Sequence, residues 1–281
     1  MNYTLPQFGN KQELFSYLKQ NKQLLISRKK STIKYGDGIV GEVRNVTKED
    51  FENKSIAVTN DQLLDGTLVA KVVINTTNFM DSHDDVHFPN IWKKSLSETK
   101  YLLHLESHEM EFDAIIADGQ DINAYTKNVS WSSLGFDYVG NTQALIFEST
   151  VSQKRNPFMY EQYLNGYVKN HSVGMRYVKI EMAINSQEKY YAEEKAIWDK
   201  YYPQIANKEL ADEKGYFFAV TEAKVIEGSA VVRGSNVATP TISITEVGQK
   251  STPENIANEP PKGTQRSKQD YSTINFNIKW K

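Results

Sequence analysis

The 281-residue chain contains no cysteine. That excludes disulfides, a thiol nucleophile and thiolate metal sites, and it suits a reducing cytoplasm. No uninterrupted apolar run approaches the ~20 residues that a membrane-crossing helix needs. The opening segment MNYTLPQFGNKQELF lacks the basic-then-apolar layout of a signal peptide. Formal net charge is −2 and no long basic block stands out. No electrostatic footprint for nucleic acid or an anionic membrane is therefore expected. The densest basic run, Arg28-Lys29-Lys30, reads as a solvated helix end. The expectation is a soluble, intracellular protein.

What is present is ordinary globular material, 39% hydrophobic and 24% charged, with enough chain for one sizeable core plus appendages or two small domains. Residues 11–27 read as a helix, with Leu14, Tyr17, Leu18 and Leu25 on one stripe. From about residue 34 the segments GTLVAKVVINTT, YLLHLESH, FDAIIAD, QALIFESTV, HSVGMRYVKIEM and AVTEAKVIEGSAVV read as strands. FPNIWKKSLSE and PFMYEQYLNGYVKN read as short helices between them. In 186–213 the residues Trp198, Tyr201, Tyr202 and Ile205 fall at helical spacing, with a break expected at Pro203. This helical insertion is either a cover for the sheet or a contact surface for another subunit. After residue 247 the chain turns polar and ends in FNIKWK, which reads as a flexible tail. The expected organisation is a helical segment 1–33, a main domain 34–246 carrying the insertion, and a tail 247–281.

Five histidines narrow the search for chemistry: His83, His87, His104, His108 and His171. MDSHDDVHFPNIWKKSL holds Asp81, His83, Asp84, Asp85 and His87 within one turn, which suggests a metal site. Asp81, Ser82 and Asp84 are equally turn formers that could cap the helix at 90–96. In YLLHLESHEMEF, His104 and His108 have the spacing of a zinc-protease helix. However, Leu105 stands where that motif needs its general base. The flanking residues prefer a strand, in which His104, Glu106 and His108 share one face with the histidines ~13 Å apart. One of the two is then a candidate base and the other a core or surface residue.

Ser172 lies in a strand-like run with Val173, Met175 and Tyr177 on the opposite parity, and the phase flips near Tyr177–Val178, as at a bulge. Gly174 leaves room beside it for an approaching peptide backbone. Glu227 interrupts an apolar strand and, if it points inward, needs a partner such as histidine. The following Arg233-Gly234-Ser235-Asn236 reads as a turn with available backbone N–H groups.

The order of these blocks resembles that of the phage prohead (capsid-maturation) serine proteases, relatives of the herpesvirus assemblins. DSHDDVHFPNIWKKSL is similar to the family's Asp-rich turn followed by an aromatic and a short helix. YLLHLESHEMEFDAIIADG is similar to its strand ending in the catalytic His. HSVGMRYV resembles its nucleophile strand, with Met175 in place of the usual aromatic. KVIEGSAVVRGSNVATPT resembles its closing strand and small-residue turn, with Gly228 where the family more often has Val. Together they cover about residues 65–245.

The resemblance implies an α+β fold with a mostly antiparallel, barrel-like core. It implies Ser172 as nucleophile, His108 as base with His104 as the alternative, and Glu227 where herpesvirus relatives use a second histidine. The N–H groups of Arg233, Gly234 and Ser235 would stabilise the oxyanion, and no metal or organic cofactor is required. It also implies a homo-oligomer inside an immature phage shell in the host cytoplasm. There it would cut scaffold or the scaffolding segment of the major capsid protein, and itself within the tail. Two other classes stay open: a metal-dependent hydrolase using His83, Asp85, His104 or His108, and a non-enzymatic head-assembly protein that keeps the fold.

Overall fold

The computed structural model describes residues 5–34 and 66–246. The polar tail with its FNIKWK end, and residues 35–65, lie outside the described residues. The expected N-terminal helix is two helices, α1 (Lys11–Gln20) and α2 (Lys22–Ser31). Asn10 caps α1 by accepting from Glu13 N–H at 2.9 Å. The chain breaks at Asn21, whose side-chain amide donates to the Tyr17 carbonyl at 2.9 Å, a local bond that competes with helix continuation. Phe15, Leu18 and Leu25 are buried in the same core as the strands, so 1–33 is no separate appendage within the described part. Lys29 departs from the solvated reading. Its ammonium meets the buried Asp85 carboxylate at 2.5 Å and lies 4.3 Å from the centre of the Phe218 ring.

Nine strands form two sheets among the described residues. The first takes the order β5 (Ile122–Ser130), β6 (Asn141–Ser152), β1 (Thr67–Thr76), β9 (Thr241–Glu246), with antiparallel pairing throughout. The second is built around the 16-residue β8 (Tyr216–Val231). Along one side of β8 runs β7 (Asn170–Ile184), antiparallel over its whole length. Along the other lie two short parallel strands end to end, β2 (Asp85–His87) and β3 (Leu103–Glu106), with β4 (Ile115–Asp118) antiparallel to β3. The α+β class stands. No closed barrel forms among the described residues, because β7 meets the chain entering β9 through one isolated bridge, Asn170–Pro240, and not a ladder.

The core lies between the sheets and follows strand alternation. Leu68, Ala70, Val72 and Ile74 of β1 and Leu145, Phe147 and Val151 of β6 face Val173, Met175, Tyr177, Val225 and Ala230 of the second sheet. Gly228 marks the closest approach. A Cβ there would lie 2.7 Å from Phe147 and 2.8 Å from Ile74, which is why valine does not fit at this position. Register shifts occur at Gly174/Met175, where β8 carries the extra residue Ile226, and at Tyr177/Lys179, where the sequence alternation changes phase.

The insertion is helical as expected, with α5 (Ala192–Tyr201) and α6 (Lys208–Lys214) interrupted at Tyr202–Gln204 and closed by Gly215 at φ +71°. Trp198, Tyr201 and Ile205 pack on Phe88 and Phe217, so this face of the insertion covers the sheet. The other two helices are α3 (Lys93–Glu98) and α4 (Pro157–Leu164). Asn156 caps α4 through Met159 N–H at 2.9 Å, with Pro157 in the first turn. Among the described residues no helix is long and apolar enough to cross a membrane.

Candidate functional site

Strand parity sets which face of the second sheet can carry chemistry. On β7 the residues His171, Val173 and Met175 point into the core, so Ser172 and Gly174 point to the opposite face. In the β7–β8 register Ser172 stands across from Ser229, and Gly174 across from Glu227. Directly opposed side chains start about 5 Å apart at Cβ. Two hydroxyls and one carboxylate therefore meet on the outer face of the sheet.

His108 reaches this face by a turn, not along a strand. β3 ends at Glu106, and Ser107 and His108 both take positive φ, +50° and +62°. Glu109 N–H closes the turn on the Glu106 carbonyl at 2.9 Å, and Ser107 N–H donates to Ala230 O at 2.9 Å. Left-handed backbone at two successive non-glycine residues is a strained conformation that surrounding contacts must hold. The strand expectation, with His104, Glu106 and His108 on one face, is corrected here: the ladder stops two residues short of His108.

The turn aims the His108 ring at Glu227. His108 Nδ1–H donates to Glu227 Oε1 at 2.6 Å, and the carboxylate is fully buried. Ser229 joins the pair: its hydroxyl donates to Glu227 Oε2 at 2.5 Å and accepts from the His108 main-chain N–H at 3.2 Å. One serine thus fixes both the carboxylate and the backbone of the histidine. Neutral imidazole with its proton on Nδ1 carries its lone pair on Nε2. Ser172 is itself buried, and the register puts it on the same face of the sheet as Ser229 and Glu227. Among the described residues no hydrogen bond joins Ser172 Oγ to the His108 ring.

The space beside Gly174 is occupied by the Glu227 carboxylate, and no peptide backbone enters it. A Cβ on Gly174 would lie 2.7 Å from the carboxyl carbon. The turn Arg233-Gly234-Ser235 sits against the chain just before Ser172, with a Cβ at Gly234 falling 2.8 Å from the His171 carbonyl oxygen. Among the described residues, the N–H groups of Arg233, Gly234 and Ser235 donate to no protein acceptor. Beside the His108 turn opens a cleft of about 610 Å³ lined by Glu106, Ser107, Glu109, Glu111, Asp113 and Phe158, among others.

His104, the alternative base, lies inside the core. Its Nδ1 meets Ser149 Oγ at 2.9 Å and its Nε2 meets Tyr163 OH at 3.0 Å. Burial and the neighbouring His171 hold it well below the ordinary histidine range. The aspartate-rich tract also has structural partners. Asp81 accepts from the N–H groups of His83 and Asp85 at 2.8 and 3.0 Å, closing its own turn and not capping α3, which starts at Lys93 without a side-chain cap. Asp84 engages Lys214 and Tyr216. Asp85 accepts from Tyr177 OH at 2.8 Å, and Lys29 and Lys34 hold its carboxyl below the usual range against the effect of burial. His87 contacts Asn75 and Tyr177. Among the described residues no group of three or more His, Asp or Glu is arranged to hold a metal ion.

Ser229 is the site residue that sequence reasoning passed over. Its signal was available: it stands two residues after Glu227, hence on the same face of the strand. No family model, no curated protein and no solved structure matches the chain.

Proposed function

We propose that this chain is a serine endopeptidase of the prohead-maturation type, in which Ser172 is the nucleophile, His108 the base and Glu227 its orienting carboxylate. The observation that carries the reading is the 2.6 Å bond from His108 Nδ1 to Glu227 Oε1, made on the sheet face that also holds Ser172. It is supported by the order of the four blocks that resemble the family, whose assemblin-type barrel would be the closed form of this two-sheet core.

In the proposed reaction, His108 Nε2 takes the Ser172 proton as Oγ attacks the scissile carbonyl. Glu227 stabilises the imidazolium, which then protonates the leaving amine. Water repeats the sequence on the acyl-enzyme and returns Ser172 to its hydroxyl form. The N–H groups of Arg233, Gly234 and Ser235 are the candidate oxyanion donors, each worth roughly 3 kcal/mol in such sites. Hydrogen bonds between nucleophile and base commonly tighten only when substrate is bound, and the reading takes the Ser172–His108 bond to form at that stage. The acidic cleft beside the turn would receive a substrate side chain.

In its setting the enzyme would act as a homo-oligomer within an immature phage shell in the host cytoplasm. It would cut scaffold or the scaffolding segment of the major capsid protein, and its own tail after residue 247. The test is mass spectrometry of the full chain, wild type against Ser172→Ala and His108→Ala, alone and co-expressed with the capsid precursor. The reading requires processing in the wild type and none in either variant, unaffected by chelator. Equal processing in all three removes it. Loss with chelator moves the chemistry to a metal, and an intact precursor in every arm leaves an assembly role.

A further inference from the structure

The five polar groups buried between the sheets beneath Ser172 form a chain whose proton directions can be worked out one by one. His171 Nδ1 lies 3.1 Å from the Thr239 carbonyl, which can only accept, so Nδ1 carries the proton of the neutral ring. His171 Nε2 is then an acceptor, and Tyr163 OH, 3.0 Å away, donates to it. The Tyr163 oxygen accepts in turn from His104 Nε2–H at 3.0 Å. His104 Nδ1 is left as an acceptor for the Ser149 hydroxyl at 2.9 Å. Every step has one assignment, and the chain runs from β6 through β3 and α4 to β7 and ends on Thr239.

Thr239 returns the connection to the main chain beside the nucleophile. Its carbonyl also accepts from His171 N–H at 3.0 Å, and its hydroxyl donates to His171 O at 2.6 Å and contacts Asn236 O at 3.1 Å. Asn236 closes its own turn by accepting from Ala238 N–H at 2.9 Å, and it is tied to Thr76 O of β1 at 3.1 Å. Gly234 rests on the same His171 carbonyl, with no space for a Cβ. Both ends of the segment 234–239 are thus docked on the residue that immediately precedes Ser172.

We infer that His171 and Thr239 are positioning residues. Through the His171–Thr239 clamp, the buried Ser149–His104–Tyr163–His171 chain holds the Arg233–Ser235 turn in register with Ser172, so that its N–H groups meet the developing oxyanion. The inference rests on the proteolytic reading above and adds to it a role for five buried residues that do not touch substrate. It explains why two neutral histidines and a tyrosine are kept in an otherwise apolar core. A substitution here would act on the transition state and leave substrate binding alone, because the oxyanion exists only there.

The experiment compares wild type, Thr239→Val, Thr239→Ser and Gly234→Ala on a quenched fluorescent peptide selected from a library with the wild-type enzyme. A peptide aldehyde of the same sequence serves as the transition-state mimic. Thr239→Val removes the donor at constant shape, and Gly234→Ala pushes the turn off His171 O without touching the core. Both are expected to lower kcat at least tenfold with KM within twofold, and to weaken the aldehyde in proportion to kcat/KM. Thr239→Ser is expected to stay within threefold of wild type. If Thr239→Val fails to fold, Gly234→Ala decides. Unchanged kcat in the folded variants, or a loss carried by KM with aldehyde binding unaffected, overturns the clamp while the proteolytic reading stands. A wild-type protein that cleaves no library member overturns both.

Discussion

Gly174 stands directly across the β7–β8 ladder from Glu227, and the carboxylate lies over it where any other residue would place its Cβ. The glycine is therefore what lets a buried carboxylate turn along the sheet toward the His108 turn. Gly174→Ala should displace Glu227 from His108 Nδ1 and lower kcat on the order of 10²–10⁴-fold, the range for losing the orienting acid. Glu227→Gln should fall in the same range while leaving the backbone unperturbed. Initial-rate kinetics checks both; an active Gly174→Ala enzyme would break the assignment of Glu227.

Ser229 holds the other carboxylate oxygen and the His108 N–H together. Ser229→Ala leaves two buried polar groups without this partner, at a cost of roughly 1–3 kcal/mol, and loosens the left-handed turn at Ser107–His108. We expect a kcat about tenfold lower, on the scale of a lost positioning hydrogen bond, and loss of the downfield Nδ1 proton signal of His108 in proton NMR. A retained signal with full activity would reduce Ser229 to a packing role.

The pairing of Lys29 with Asp85 fastens α2 to the edge of the second sheet at a fully buried carboxylate. Breaking a buried pair costs up to roughly 3–5 kcal/mol, and here Lys34 at 3.8 Å and the Tyr177 hydroxyl stay with Asp85, so the cost falls at or below the lower end of that range. Lys29→Met should lower stability by that order in urea unfolding. The double variant Lys29→Met/Asp85→Asn should recover part of the loss, since the buried charge that has lost its nearest partner is gone. Additive losses would show that the two do not interact.

Local chemistry explains what could be read from the chain. Short runs rich in Val, Ile, Thr and aromatics between Gly, Asn and Asp clusters make β1, β6, β7 and β8 legible, and Trp198, Tyr201 and Ile205 mark the insertion. β2 reads as turn because three residues, Asp85-Val86-His87, carry no period, and the strand exists only through its pairing to Phe218–Val220. β5 and β9 do not stand out in the sequence, because their polar, half-exposed residues dilute the signal. At the site, Ser172 and Glu227 were legible as polar interruptions of apolar strands. The approach of His108 was not, since propensity extends a strand through Ser107, whereas the closing bond from Glu109 to Glu106 and the contact with Ser229 turn it back. The parallel pairing of β3 with β8 that brings these blocks together is long-range, and no local pattern encodes it.

The buried histidines should make the fold sensitive to acid. Burial pushes His87 and His171 down to about 4 and holds His104 well below the ordinary histidine range, so the folded protein binds fewer protons than the unfolded chain between pH 4 and about 6.5. Stability therefore rises with pH across that window and is lost as pH falls through it, by roughly 3 kcal/mol for each of His87 and His171. Asp81 works in the opposite direction: burial and the Asp85 carboxylate raise it to about 6, so its ionisation destabilises the fold as pH rises from about 4 to 6. Two or more histidines outweigh one aspartate, and the net slope is positive. Urea midpoints at pH 4.5, 5.5, 6.5 and 7.5 should climb to about 6.5 and then level. His87→Gln, which keeps hydrogen-bonding capacity without a titrating ring, should flatten the climb by about one proton's worth. A slope of the opposite sign, or one untouched by His87→Gln, would mean that these rings are not held neutral in the folded protein.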